Sequence, residues 1–363
     1  MKSKSDNDNP ERGILHPEKP LEDDGRDTAL RPRSLAEFQG QKAMKENLSV
    51  FIRAAKERNE SLDHLFLIGP PGLGKTTLAQ VVAHELGTDF KVTSAPALEK
   101  PKDLAGILTT MTEKAVFFID EIHRLKPAIE EMLYIAMEDF ELDWIIGQGP
   151  GARTIRIPVQ PFTLVGATTR AGNVSSPLIS RFGITCRFSF YLDEDMEAIV
   201  RRSAGILGVT IDDDAASLLA RSARGTPRVV NRLLRRVRDF AQVKAGKPVH
   251  TAAVSAKAFA GPLITKEIVE EGLSRLEIDS LGLERYDREI LKIIIERYGG
   301  GPVGAETLAI SIGESVDTLE DYYEPYLIQA GLLQRTPRGR TVTSLTYDYL
   351  KIPRAKEAGA LLF

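Results

Sequence analysis

Gly69 to Thr77 reads GPPGLGKTT, and the fold follows from how this stretch and its flanks are read. Gly69, Gly74, Lys75 and Thr76 fit the pattern G-x-x-x-x-G-K-[ST], with Gly72 and Thr77 in the same cradle. Glycines let backbone N–H groups turn inward on phosphates, the lysine reaches the β and γ oxygens, and the threonine hydroxyl ligates magnesium. LDHLFLIG (Leu62 to Gly69) is a short apolar run ending in glycine, which predicts a buried strand. LAQVVAHELG (Leu78 to Gly87) predicts a helix closed by glycine. Strand, phosphate-binding loop and helix together imply a chain that binds and hydrolyses a nucleoside triphosphate with Mg2+.

Further along, FKVTSA, AVFFID (Ala115 to Asp120) and FTLVGATT (Phe162 to Thr169) read as strands, and Gln41 to Arg58 as an amphipathic helix. Strands alternating with helices predict an α/β domain over 29–190, a parallel sheet covered on both faces. Its rhythm is broken between about Asp143 and Pro158, where WIIGQGPGARTIRIP predicts a hairpin around Gly-Pro-Gly. Trp144, Ile145 and Ile146 on that hairpin are apolar, so either they meet a partner or they fold back into the core. Residues 191–262 read as a small all-helical domain. Residues 263–363, with a start near Thr265, give three helix-like segments and then LQRTPRGRTVT, the order of a winged helix. Residues 1–28 are polar and aperiodic, and are expected to be disordered.

Composition narrows the classes. No apolar run approaches the ~18–20 residues needed to cross a bilayer, and no apolar segment follows the charged N-terminus, so neither a membrane nor an exported protein is expected. The single cysteine, Cys186, excludes a disulfide framework and a cysteine metal cluster, and reads as a buried small side chain in a reducing compartment. The net charge of -3 does not advertise nucleic-acid binding, yet five arginines fall within Arg228 to Arg238 and three, Arg335, Arg338 and Arg340, within six residues of the wing. These last suit phosphate contacts beside the minor groove, although winged helices also bind proteins.

Asp120 and Glu121 close the strand AVFFID, at the carboxyl edge where open α/β sheets bind ligands. There Asp120 would hold magnesium through water and Glu121 would deprotonate the attacking water; an acidic helix cap is the plainer alternative. Thr168 and Thr169 end the next strand, within reach of a γ-phosphate, although threonine is common at strand ends. Arg181, on a polar loop, suits insertion into a neighbouring subunit's site or a surface ion pair. Arg228, in the first turn of a helix after Gly-Thr-Pro, either points toward the γ-phosphate or lies on a solvated face.

LRPRSLAEFQGQ from Leu30, DHLFLIGPPGLGKTTLA, FFIDEIHRL, MEDF, PFTLVGATTRAG, SRFGI, GTPRVVNRLLRRVRDFA, GGPVG and EPYLIQAGLLQRTPRGR stand in this order. In this set the chain resembles the RuvB family, bacterial AAA+ motors that drive Holliday junction branch migration in homologous recombination, DNA repair and the SOS response to DNA damage. The resemblance implies an AAA+ P-loop domain, a helical lid and a C-terminal winged-helix head. It places Leu30 and Arg31 by the adenine, and Glu138, Asp139, Phe140 and Tyr191 around the nucleotide. It makes Thr169 the first sensor, Arg228 the second, and Arg181 a finger reaching across a homohexameric ring. It implies that the hairpin docks RuvA, that RuvC joins in a resolvase complex, and that Arg335, Arg338 and Arg340 contact duplex arms of a four-way junction, in the cytoplasm.

Three features depart from the family pattern: uncharged residues before Arg181 in LISRFG, Val316 where a basic residue is usual, and a long stretch from Lys244 to Leu283. Two rivals remain on sequence alone, a nucleotide-switched loader or initiator and a winged-helix transcription regulator.

Overall fold

Strands with both faces covered read as near-continuous apolar runs, and VFFID and TLVGAT, polar only at their ends, follow this. They form β3 (Val116–Asp120) and β6 (Thr163–Thr168) at the centre of a five-stranded parallel sheet, ordered β2-β3-β6-β1-β7. The other strands are β1 (Leu65–Ile68), β2 (Phe90–Ser94) and β7 (Ile184–Arg187). The chain is a computed structural model that describes residues 29–146, 153–245 and 262–353. The expectation for residues 1–28 and the tip of the hairpin lie outside the described residues. The chain divides into two compact units, Met1–Arg31 and Pro32–Phe363. Of the first, Ala29 and Leu30 are helical, Leu30 is buried and Arg31 is half-buried.

Alternation along the strands feeds two cores. Leu65, Leu67, Val116, Phe118, Val165 and Ala167 enter one, with helices α1 (Lys42–Arg58) and α2 (Lys75–Leu86). Phe66, Phe117, Ile119 and Leu164 enter the other, with α3 (Pro101–Leu108) and α4 (Pro127–Glu138). Gly166 in β6 is required by packing, since a Cβ would lie 2.6 Å from Ile122 and 2.8 Å from Phe182. Cys186 is buried as expected, and burial pushes its thiol up to about 11.

After α5 (Ser176–Ile179) the chain returns to the amino edge of the sheet for β7, a strand the sequence reading missed. β7 is an edge strand that alternates buried Ile184 and Cys186 with exposed Thr185 and Arg187. The hairpin strands are β4 (Glu141–Ile146) and β5 (Arg153–Pro158), so pairing begins at Glu141 and not at Asp143.

The helical domain comprises α6 (Asp193–Ile206), α7 (Asp213–Arg221) and α8 (Pro227–Ala245). It also keeps residues assigned by sequence to the next unit. β9 (Leu263–Ile264) pairs with β8 (Thr210–Ile211), and α9 (Lys266–Arg275) buries Val269 and Leu273 in the first core. The expected boundary at 262 to 263 is therefore wrong: the apolar face of α9 is buried against α8, with Gly272 beside Phe240 and Val237.

A separate core begins at Leu283 and holds α10 (Arg285–Tyr298), α11 (Ala305–Ile312), a helix running from Val316–Thr318 through a π-helical stretch Leu319–Tyr323 into Glu324–Gln329, and the wing strands β10 (Leu333–Thr336) and β11 (Gly339–Val342). This is the expected winged helix, with Val303 joined to Arg340 of the two-stranded wing by an isolated antiparallel bridge. Val316 packs against this core. The buried Arg224 joins the lid to it, donating from Nη2 to Asp287 Oδ2 (2.5 Å) and from Nε to the Gly282 carbonyl (2.6 Å). Among the described residues no helix is long and apolar enough to cross a membrane.

Candidate active site

The loop from β1 to α2 turns at Gly72 and Gly74, whose φ values of 80° and 99° lie in the left-handed region that favours glycine. Lys75 opens α2 with its side chain buried, and Nζ donates to the carbonyls of Gly69 (2.7 Å) and Pro70 (2.9 Å). Burial pushes the ammonium down to about 8, against the pull of the Asp120 and Glu121 carboxylates. A desolvated cation at a helix N-terminus, with backbone turned inward by two glycines, is built to receive an anion. Thr76 and Thr77 follow in the first turn of α2.

Asp120 and Glu121 stand at the carboxyl edge, one residue apart at the end of β3. The Glu121 N–H donates to Asp120 Oδ1 (3.0 Å), and Glu121 has a left-handed φ of 53° that re-aims its side chain. Burial, and then the Asp120 charge, raise the Glu121 carboxyl above the usual range. The structure separates the two threonines. Thr168 is buried, with Oγ1 2.9 Å from His123 Nδ1, whereas Thr169 is half-buried and more accessible. His123 Nε2 lies 3.4 Å from Glu121 Oε2. No group of three or more metal-ligating side chains gathers among the described residues. A magnesium ion at Thr76 and Asp120 therefore needs oxygens from its phosphate ligand and water, the usual manner of binding for that ion.

The lid closes on the loop from the other side. The Arg228 N–H donates to the Gly72 carbonyl (3.3 Å), and a Cβ on Gly72 would lie 2.8 Å from Thr226 and 3.2 Å from Arg228. The exposed Arg228 side chain acts on Lys75 through its charge. The Tyr191 hydroxyl donates to the Leu73 carbonyl (3.1 Å), and Phe38 approaches Gly74. Phe38, Thr226 and His123 are site residues that sequence reasoning missed; they lie within the quoted family segments, but only folding brings their side chains to the site.

Arg181, Glu138, Asp139 and Phe140 are not brought to this site. In a parallel sheet Ile68, Asp120 and Thr168 mark one edge, and the segments just before β1, β6 and β7 mark the other. Arg181 immediately precedes β7, with Nε 3.1 Å from Glu138 and its guanidinium 4.5 Å above the Tyr134 ring. Phe140 packs edge-on against Phe162, just before β6. At ~3.3 Å per residue the strands hold these residues about 15–20 Å from the phosphate loop. Glu138, Asp139 and Phe140, expected around the nucleotide, lie away from this chain's own phosphate loop, because α4 ends at the amino edge.

On the hairpin, Trp144 packs against the second core, so it folds back, while Ile146 is 53% exposed. The Ile145 side chain lies outside what is described. In the wing, Arg338 is exposed at the turn, but Arg335 Nε and Arg340 Nε both donate to the fully buried Glu324 (2.5 and 2.7 Å).

Three family models match in succession: the Holliday junction DNA helicase RuvB P-loop domain over residues 30–188, the RuvB AAA lid domain over 191–260, and the RuvB C-terminal winged helix domain over 280–351. The Holliday junction branch migration complex subunit RuvB of Treponema denticola is 70% identical over 337 residues, 93% of this chain and 94% of that protein. The chain belongs to the RuvB family. The protein of the same name from Treponema pallidum is 66% identical over 91% of this chain and 90% of its own length. Among solved structures, the Thermotoga maritima RuvB Holliday junction branch migration motor superposes with a TM-score of 0.79 at 49% identity, covering 89% of this chain and 98% of that one. As a member of the RuvB family, this chain is a P-loop AAA+ ATPase.

Proposed function

We propose that this chain is the ATP-driven motor of Holliday junction branch migration in homologous recombination and repair, acting as a homohexameric ring in the cytoplasm. One observation carries the ring: Lys75 and Arg181 stand at opposite edges of one sheet, so a nucleotide held by Lys75 in one copy meets Arg181 only from another. Glu138, Asp139 and Phe140 lie on the same side as Arg181 and would contact that neighbour's nucleotide with it.

Within one copy, Lys75 and the loop N–H groups hold the phosphates, Thr169 and Arg228 approach from the sheet and the lid, and Tyr191 braces the loop. Leu30 and Arg31 are assigned to the adenine by family resemblance. Thr76 and Asp120 would hold magnesium, which supplies charge neutralisation on the phosphate oxygens. Glu121 accepts a proton from the attacking water; its raised carboxyl value brings it closer to the working range of a general base. The hairpin around Ile146, with Trp144 and Ile145 behind its tip, is the docking surface for RuvA, and RuvC joins the assembled junction. Arg338 at the wing turn contacts duplex arms, with Arg335 and Arg340 beside it.

The test uses RuvA and a synthetic four-way junction. Wild type should separate the arms with repeated ATP turnover, and Arg181→Ala should bind ATP without hydrolysis. Mixing Arg181→Ala with Glu121→Gln should restore part of the turnover, since mixed interfaces contain complete sites. Absence of rescue refutes the cross-subunit role, and ATP-dependent junction binding without arm separation favours a switch over a motor.

A further inference from the structure

The Glu121 carboxylate faces a side chain outside the expected catalytic set. His123 Nε2 lies 3.4 Å from Glu121 Oε2, and on the other side of the ring Nδ1 lies 2.9 Å from Thr168 Oγ1. The Thr168 oxygen also accepts the Arg170 N–H at 2.9 Å. Having accepted there, the buried hydroxyl has its own proton to place, and His123 Nδ1 is the acceptor it meets. Nδ1 is then unprotonated, and the ring proton sits on Nε2, facing the carboxylate. The opposite tautomer turns a lone pair toward a carboxylate oxygen and strands a buried hydroxyl proton, both unfavourable where water is excluded. Burial, and then the charges of Arg170 and Arg124, hold the imidazole below its ordinary value, so the neutral ring is favoured.

The relay continues beyond the sheet. The Arg170 guanidinium donates from Nε to Asp321 Oδ1 (2.9 Å) and from Nη2 to Asp317 Oδ1 (2.9 Å), and both carboxylates belong to the helix that precedes the wing. One residue thus offers its backbone to Thr168 and its side chain to the winged-helix domain.

We propose that His123 is a positioning residue for Glu121, fixed as the Nε2–H tautomer by Thr168 and tied through Arg170 to Asp317 and Asp321 of the winged-helix domain. It holds Oε2 and leaves Oε1 to accept the proton of the attacking water. The inference rests on the reading of Glu121 as the general base. Its consequence is that displacing the winged-helix domain disturbs the orientation of the base without touching the phosphate loop.

Full-length protein labelled with 15N-histidine, with His123→Gln used to assign the signal, should show His123 as the Nε2–H tautomer; an Nδ1–H signal overturns the proposal. In steady-state hydrolysis, His123→Ala should lower kcat by on the order of 10²-fold, the scale of a misplaced catalytic group, with ATP affinity within about twofold of wild type. His123→Gln, which keeps a donor near the Nε2 position, should recover part of that loss, whereas His123→Phe, which only fills space, should not. Rescue by phenylalanine equal to that by glutamine overturns the positioning role. Asp321→Asn should lower kcat in the wild-type background and have no further effect beside His123→Ala; independent losses sever the link to the winged-helix domain. If Glu121→Gln still hydrolyses ATP, the underlying reading fails. If Glu121→Gln is inactive and His123→Ala turns over at the wild-type rate, this inference alone fails.

Discussion

The phosphate loop and the wing each present cations at a turn, and the structure uses them in opposite ways. Lys75 is buried against two carbonyls, with its nearest carboxylates at the end of β3 pulling from a distance. Its positive charge is incompletely compensated until an anion arrives. Arg340 is 12% exposed at its side chain and is already matched by Glu320 and Glu324, and Arg335 shares Glu324 with it. In the wing, therefore, part of the arginine cluster that reads as a DNA footprint holds the hairpin to the preceding helix. Arg338 stands exposed at the turn, and Arg335, although paired with Glu324, keeps about half of its side chain exposed. A cation's availability to a ligand depends on whether a buried carboxylate has met it first.

Removing that carboxylate should give the largest effect. Glu324→Ala leaves the largely buried Arg340 with Glu320 alone and frees the half-exposed Arg335, and should cost about 3 kcal/mol of winged-helix stability in denaturant unfolding, the low end for breaking a buried pair, with ATP affinity unchanged. A midpoint equal to wild type breaks the contrast. A smaller effect, about tenfold per pH unit, belongs to Lys75. Its ammonium loses its proton near 8 in the free protein, whereas adjacent phosphate favours the charged form, so binding takes up a proton above pH 8. ATP affinity should be flat below pH 8 and weaken as pH rises beyond it. Lys75→Arg, charged throughout, should lack the inflection. Smallest is Arg338→Ala, which should weaken duplex binding only a few-fold and reduce the salt slope by about one. An unchanged slope removes Arg338 from the phosphate contacts.

The parts that sequence made legible share a physical origin. β1, β3 and β6 are covered on both faces, so an uninterrupted apolar run announces each one, and the phosphate loop needs glycines at fixed spacing. β7 has only two inward residues in four and no such signature. The helix α9 is amphipathic, but its pattern is silent about which neighbour buries it, so sequence places the domain boundary before it. The site shows the same division. Lys75, Asp120 and Glu121 are read from their own neighbours in sequence, whereas the His123–Thr168 contact joins residues 45 apart and the Arg170–Asp321 contact residues 151 apart. The placement of Arg181 at the amino edge follows from the return path of the chain to β7, which local sequence does not announce.

The hydrogen bond from Arg228 to Gly72 gives α8 the mechanics of a lever arm. Its 19 residues extend about 28 Å at 1.5 Å per residue, and the end that rests on the phosphate loop is its fulcrum. One degree of rotation there carries the far end through about 0.5 Å over that length. Any rotation that a bound phosphate imposed at that contact would be magnified along the helix.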